Sequence, residues 1–157
     1  MLKTLVSFTG VIVLLVFNQN CSKKNDVDFK THMLNELNKQ RLKGCVCGED
    51  SMPPVDILEY DEALENAAER HVLDMSDNDF LSHIGTDGST PQLRASEAGF
   101  TGAFIGENIA RGFVTVNDVM ARWLSSEEHC KTIMAPYFSY VGIAYKDYYW
   151  VQVYGSD

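Results

Sequence analysis

Tyr140-Val141-Gly142-Ile143-Ala144-Tyr145 and Tyr149-Trp150-Val151-Gln152-Val153-Tyr154, joined by Lys146-Asp147-Tyr148, decide the fold class. Both runs are rich in β-branched and aromatic side chains, and the polar joint between them reads as the turn of a β-hairpin. Upstream of them the pattern is helical. Thr115 begins a helix whose apolar face is Val116, Val119, Met120, Trp123 and Leu124. Thr90 caps a short helix with Pro91 at its first position and Leu93, Ala95 and Ala98 inside, closing at Gly99. Asp61 caps another, with Ala63, Leu64, Ala67, Ala68, His71 and Met75 on one stripe, and the abundance of alanine there predicts a close approach to another layer. Residues 28–43 place Phe29, Met33, Leu34 and Leu37 at three-to-four spacing before Gly44 stops the helix, and residues 48–54 read as a loop ending at Pro53-Pro54. Helices early and strands late, without a repeat, make one α+β domain. A chain of 157 residues, 45% apolar, is long enough for one core and too short for two ordinary domains.

The formal net charge of -9 has the wrong sign for a nucleic-acid binder, and no stripe of Lys and Arg with interleaved aromatics is present. Lys3 followed by the apolar run 11–17 suits the h-region of a signal peptide and is too short to span a bilayer. No small-residue cleavage site follows it. Cys21 does, with the polar Ser22-Lys23-Lys24-Asn25-Asp26 after it, so the segment resembles a bacterial lipoprotein signal, although Asn18-Gln19-Asn20 stands where leucine and small residues are usual. The expected organisation is a signal peptide over 1–21 ending at a lipid-modified Cys21, a flexible tether over 22–28, and a domain over 29–157. An exported chain keeps disulfides. Cys45 and Cys47 are too close in sequence for an unstrained bridge between themselves, which leaves Cys130 as the partner of one of them, and a zinc site lacks both a fourth ligand and a C-x-x-C spacing.

The chemistry centres on Gly106-Glu107-Asn108-Ile109-Ala110. An ionised carboxylate set among small and apolar neighbours is costly to bury unless something pairs with it. The expected partners are imidazoles, with His83 on a loop and His129 on a short helix on either side. His71, on the buried stripe of its helix, reads as a core histidine with one satisfied ring nitrogen. No H-E-x-x-H, G-x-S-x-G, Walker A or dinucleotide-binding glycine pattern occurs. What remains is His83, Glu107, Glu127 or Glu128, and His129: two imidazoles and two carboxylates that bind zinc, perform acid-base work or neutralise one another across a cleft.

Phe80-Leu81-Ser82-His83, Gly106-Glu107-Asn108-Ile109-Ala110, Trp123-Leu124-Ser125-Ser126-Glu127-Glu128-His129-Cys130-Lys131-Thr132-Ile133-Met134 and Tyr149-Trp150-Val151-Gln152-Val153-Tyr154-Gly155 occur in an order that resembles the CAP superfamily (cysteine-rich secretory, antigen 5, pathogenesis-related 1) in its bacterial single-domain form. The resemblance runs from about residue 30 to 155. It implies a three-layer α-β-α sandwich with a central mixed sheet, and a cleft lined by two histidines and two acids. His83 and Glu107 match that tetrad, His129 matches the histidine of bacterial members, and Glu127 stands in for an acid that plant-type members place where this chain has Ser126. The resemblance also implies a Cys47–Cys130 bridge, with Cys45 as the odd thiol. It shares a fold more clearly than a reaction. Two function classes follow. One is an envelope-anchored binding module, requiring no cofactor, whose cleft holds a small lipid-like or polar ligand or a divalent cation such as zinc on His83 and His129. The other is a metal-assisted hydrolase with Glu107 as general base.

Overall fold

The computed structural model describes residues 20–157, and of residues 20–28 and 104 the backbone alone. The signal-peptide segment and the Cys21 side chain therefore lie outside the described residues. In chain order the elements are α1 (Asn20–Lys43), β1 (Cys45–Cys47), β2 (Asp50–Met52), β3 (Glu59–Tyr60), α2 (Glu62–Asp77), α3 (Pro91–Glu97), β4 (Ala103–Arg111), α4 (Val116–Leu124), α5 (Glu127–Ile133), β5 (Tyr140–Lys146) and β6 (Tyr149–Ser156). The main sheet has the order β3-β5-β6-β4, with β3 parallel to β5 and the other pairs antiparallel. It is the mixed sheet of a three-layer sandwich.

The layering follows from the twofold period of the strands. Along β6, Tyr149, Val151 and Val153 pack with Leu64, Ala67, Ala68, Val72 and Met75 of α2, while Trp150 and Tyr154 pack into the opposite cluster with Met33, Leu37, Val119, Trp123 and Ile133 of α1, α4 and α5. All eight residues of β6 are buried. Helix starts fall where the sequence places them: Asp61 accepts from the Leu64 amide at 2.8 Å, and Thr90 and Thr115 accept from the Leu93 and Asp118 amides, each at 3.2 Å.

Three expectations are corrected. The helix expected over 28–43 begins at Asn20, so the backbone of 22–28, assigned to a tether, is helical; no Gly or Pro interrupts 21–43, and extending a nucleated helix costs little. Residues 48–54, expected as loop, supply β2, which pairs antiparallel with β1 around Gly48 at φ +64°, a left-handed conformation that glycine adopts without strain. The joint of the last hairpin is two residues long, Asp147 and Tyr148 at φ 46° and 70°, because Lys146 already pairs with Tyr149.

Two contacts fix the layers. Arg41, fully buried near the end of α1, donates from Nε to the Asp56 carbonyl at 2.6 Å, from Nη1 to the Ile133 and Ala135 carbonyls at 2.7 and 3.0 Å, and from Nη2 to the Phe138 carbonyl at 3.0 Å. It thereby satisfies the backbone of the segment from α5 to β5, which has no ladder of its own. On the other face α2 lies against Gly142. A Cβ there would stand 2.1 Å from the Glu65 nitrogen and the Leu64 carbonyl carbon, both backbone atoms of the alanine-rich helix. Gly142→Ala is accordingly expected to destabilise by about 3 kcal/mol, the upper part of the overpacking range, because neither helix nor strand backbone gives way cheaply. Urea denaturation measures this; an unchanged midpoint would show that α2 has room to shift.

Candidate functional site

Strand β4 is at the edge of the sheet and carries the site on both its faces. Glu107 points into the α2/α3 layer and its neighbour Asn108 to the opposite side, where Asn108 Nδ2 donates to the His129 carbonyl at 3.3 Å and to Gln152 Oε1 at 3.4 Å. The Glu107 side chain is 1% exposed. Its first partner is the equally buried Arg94 of α3, whose Nη2 donates to Oε2 at 2.6 Å. Its second is His83, whose Nδ1 lies 2.7 Å from Oε1. His71 Nε2 stands 3.9 Å from the same oxygen. A carboxylate beside Nδ1 fixes the orientation of the ring: Nδ1–H donates to Glu107, and the ring is 50% exposed.

The loop bearing His83 is held from beneath. Arg94 Nη1 donates to the Ser89 carbonyl at 2.8 Å and Nη2 to the His83 carbonyl at 3.2 Å, while His71 Nε2–H donates to the Ser82 carbonyl at 2.8 Å. His71 is thus the core histidine its helical position suggests. Burial lowers its pKa below the usual imidazole value, opposed by the charge of Glu107 and reinforced by that of Arg94. Its Nδ1 is buried without a hydrogen-bond partner, as are Arg94 Nε, Asn108 Oδ1 and His129 Nδ1.

His83 and Glu107 therefore meet as expected, and the residue that sequence reasoning missed is Arg94. A signal existed: an arginine between Leu93 and Ala95 on a short helix otherwise closing over the core, in a chain whose buried acid needed a cation. His129 sits on α5, across β4 from Glu107. Burial, then the charges of Arg122 and His83, lower its pKa. Glu127 is not brought to the site. Its carboxylate is paired with Lys131 at 2.6 Å and lies against Gly48 at the turn of the β1–β2 hairpin. Two helical steps turn by about 200°, so Glu127 and His129 face opposite directions on α5. Among the described residues, the only three His, Cys, Asp or Glu side chains with ligand atoms within 4.8 Å of one another are Cys45, Cys47 and Cys130. His83, Glu107 and His129 do not form such a set. Cys47 and Cys130 are bridged with Cα atoms 5.5 Å apart, as the resemblance implied, and Cys45 is free.

Comparison with known proteins agrees with this architecture. The model of the cysteine-rich secretory protein family, CAP, matches residues 34–154. The uncharacterized protein YkwD of Bacillus subtilis (strain 168) is 33% identical over 88 residues, which is 56% of this chain and 34% of that protein, so the chain spans about a third of its relative's length. An extracellular protein containing an SCP domain from Bacillus anthracis str. Ames superposes with a TM-score of 0.75 at 21% identity, covering 90% of this chain and 44% of that one. An outer surface protein from Borrelia burgdorferi gives a TM-score of 0.70 at 21% identity, over 82% of this chain and 92% of that one.

Two outcomes are expected from the buried cluster. Arg94→Met leaves Glu107 uncompensated and should cost about 3–5 kcal/mol, whereas adding Glu107→Leu should recover most of that loss; a double-variant loss equal to the sum of the two single-variant losses would show that the pair is not coupled. The second outcome concerns pH. With His71 lowered from its reference of about 6.5, the unfolded chain binds more protons than the folded one below that pH. Stability is then complete above about pH 6.5 and falls as the pH drops toward the folded value. Urea midpoints across this window should decline in the native chain and decline less in His71→Gln.

Proposed function

This chain belongs to the cysteine-rich secretory protein (CAP) family, and on that premise we propose that it works outside the cytoplasm as a binding module, holding a small ligand at the open edge of β4. The observation that carries this reading is the contrast within one hydrogen-bonded pair: His83 is half exposed and its partner Glu107 is buried. An imidazole held at a set angle by a buried Glu107–Arg94 pair is a polar anchor whose orientation has already been fixed before anything binds. Exposed aliphatic side chains lie near it in the chain. Leu81 and Ile84 on the same loop and Leu93 on α3 are each about half exposed. A polar anchor among aliphatic side chains fits a lipid-like molecule with a polar head.

A divalent cation, zinc first, is the second occupant that these donors suit. His83 has Nδ1 on a carboxylate and a half-exposed ring, the arrangement of a metal-binding histidine, and His129 supplies a further imidazole across β4. Two nitrogens without a third ligand make an exchangeable site rather than a structural one, and the cation would add positive charge for an anionic head group. The hydrolase reading has less support. Glu107, its candidate base, is 1% exposed and has one oxygen on Arg94 and the other on His83. Anchoring through a lipid on Cys21 would hold the module at the cell envelope; no helix among the described residues is long and apolar enough to cross a membrane.

Titration of the full chain with a fluorescent long-chain fatty acid tests the ligand. Replacing Leu81 and Leu93 together by serine should weaken binding at least about tenfold, since each covered leucine contributes about 1.5–3 kcal/mol and a factor of ten corresponds to about 1.4 kcal/mol. Unaltered affinity would remove the apolar rim from the reading. Zinc calorimetry on the same protein should lose its heat in His83→Ala, and identical heats would remove the cation.

A further inference from the structure

The free thiol of Cys45 touches the bridge. Its Sγ lies 3.5 Å from that of Cys130 and 3.7 Å from that of Cys47. Two local rules gather the three sulfurs. Residues two apart in a strand share a face, so Cys45 and Cys47 both look from β1 toward α5. The α5 helix turns Cys130 into the same core. Cys47 and Cys130 are fully buried, whereas Cys45 is half-buried at the accessible side of the cluster. The candidate binding site uses none of the three.

We propose that Cys45 is an exchange thiol for this bridge, so that the protein interconverts two disulfide isomers, Cys47–Cys130 and Cys45–Cys130, with Cys130 as the shared sulfur. The Cys45 thiol gives its proton to solvent, and the thiolate attacks Cys130 Sγ. The Cys45–Cys130 bond forms as the Cys130–Cys47 bond breaks, and Cys47 leaves as a thiolate that takes up a proton. One disulfide and one thiol stand on each side of the step, and no external oxidant or reductant is consumed.

Closure between Cys45 and Cys47 does not compete. Neighbours two apart on an extended strand have Cα atoms roughly 6.6 Å apart, at the outer limit for a disulfide. The similar distances from Cys45 to both sulfurs put it beside the bridge, so in-line attack takes a rotation of the Cys45 and Cys130 side chains. Burial pushes the Cys45 thiol up, while a hydrogen bond from Gln40 and the charge of Lys43 pull it back, so exchange quickens as the pH rises toward thiolate formation. The step moves the anchor of α5 two residues along β1. Since α5 carries His129 directly before Cys130, the identity of the bridge sets how that imidazole is held.

The test uses the wild-type chain. It is held at about pH 8.5, near the reference thiol pKa, then acid-quenched, labelled with a maleimide and mapped as peptides without reduction. Two species are expected: label on Cys45 with Cys47–Cys130 bridged, and label on Cys47 with Cys45–Cys130 bridged, the second rising above an acid-held control. Label confined to Cys45 at every time point up to about pH 9 overturns the proposal. As a second measurement, Cys47→Ser is expected to form the Cys45–Cys130 bridge on air oxidation, and a folded variant with both thiols free would likewise overturn it. Where that variant does not fold, the wild-type map decides.

Discussion

A central strand buried on both faces sets the terms for everything around it. All of β6 is removed from water, so the sheet needs a helical layer on each side, and every polar group that enters those layers must find its partner inside them. On the α1/α4/α5 side this is met by Gln152, which accepts from Asn108 and Tyr154 and approaches the sulfurs of Met33 and Met120. On the same side Arg41 gathers four backbone carbonyls. The α2/α3 side meets the requirement with Glu107, Arg94 and His71.

That second cluster is where fold and site are one structure. Burying a carboxylate and a guanidinium removes the hydration of both, and a buried pair is poor evidence of stability compared with an apolar pair of the same size. What it does supply here is position. Arg94 holds Glu107 and the His83 carbonyl through Nη2 and the Ser89 carbonyl through Nη1, and His71 holds the carbonyl of Ser82. The loop is therefore fixed at both its backbone and its His83 side chain, and a half-exposed imidazole is presented at a single angle above a buried charge pair.

The disulfide performs the matching task on the other side of β4. Cys47 and Cys130 are 83 residues apart, so closing that loop stabilises by about 4.5 kcal/mol in the chain-entropy model. It also ties α5 to a hairpin that is too small to be stable alone. The two sides of the edge strand are thus secured by different means, an ion pair beneath His83 and a bridge beside His129.

Much of this was legible in the chain. Local signals were sufficient for the caps at Asp61, Thr90 and Thr115, for the apolar stripes, for the last hairpin and for the need of Glu107 for partners, because each depends on periodicity or on the chemistry of one residue. The resemblance carried the layers, the His83–Glu107 pair and the Cys47–Cys130 bridge. It did not reveal Arg94: an arginine between Leu93 and Ala95 hinted at a buried cation, but nothing in residues 91–97 says that it meets the carboxylate of β4. It also assigned Glu127 to the cleft, although the turn of α5 sends that carboxylate to the hairpin and Lys131. The sequence by itself determined the capped helices, the last hairpin and which groups require company. Only the tertiary structure decided who keeps company with whom, because charge pairing and sulfur contacts act over a few ångströms, and residues 13 or 85 positions apart come within that range only when strand register and helix rotation place them there.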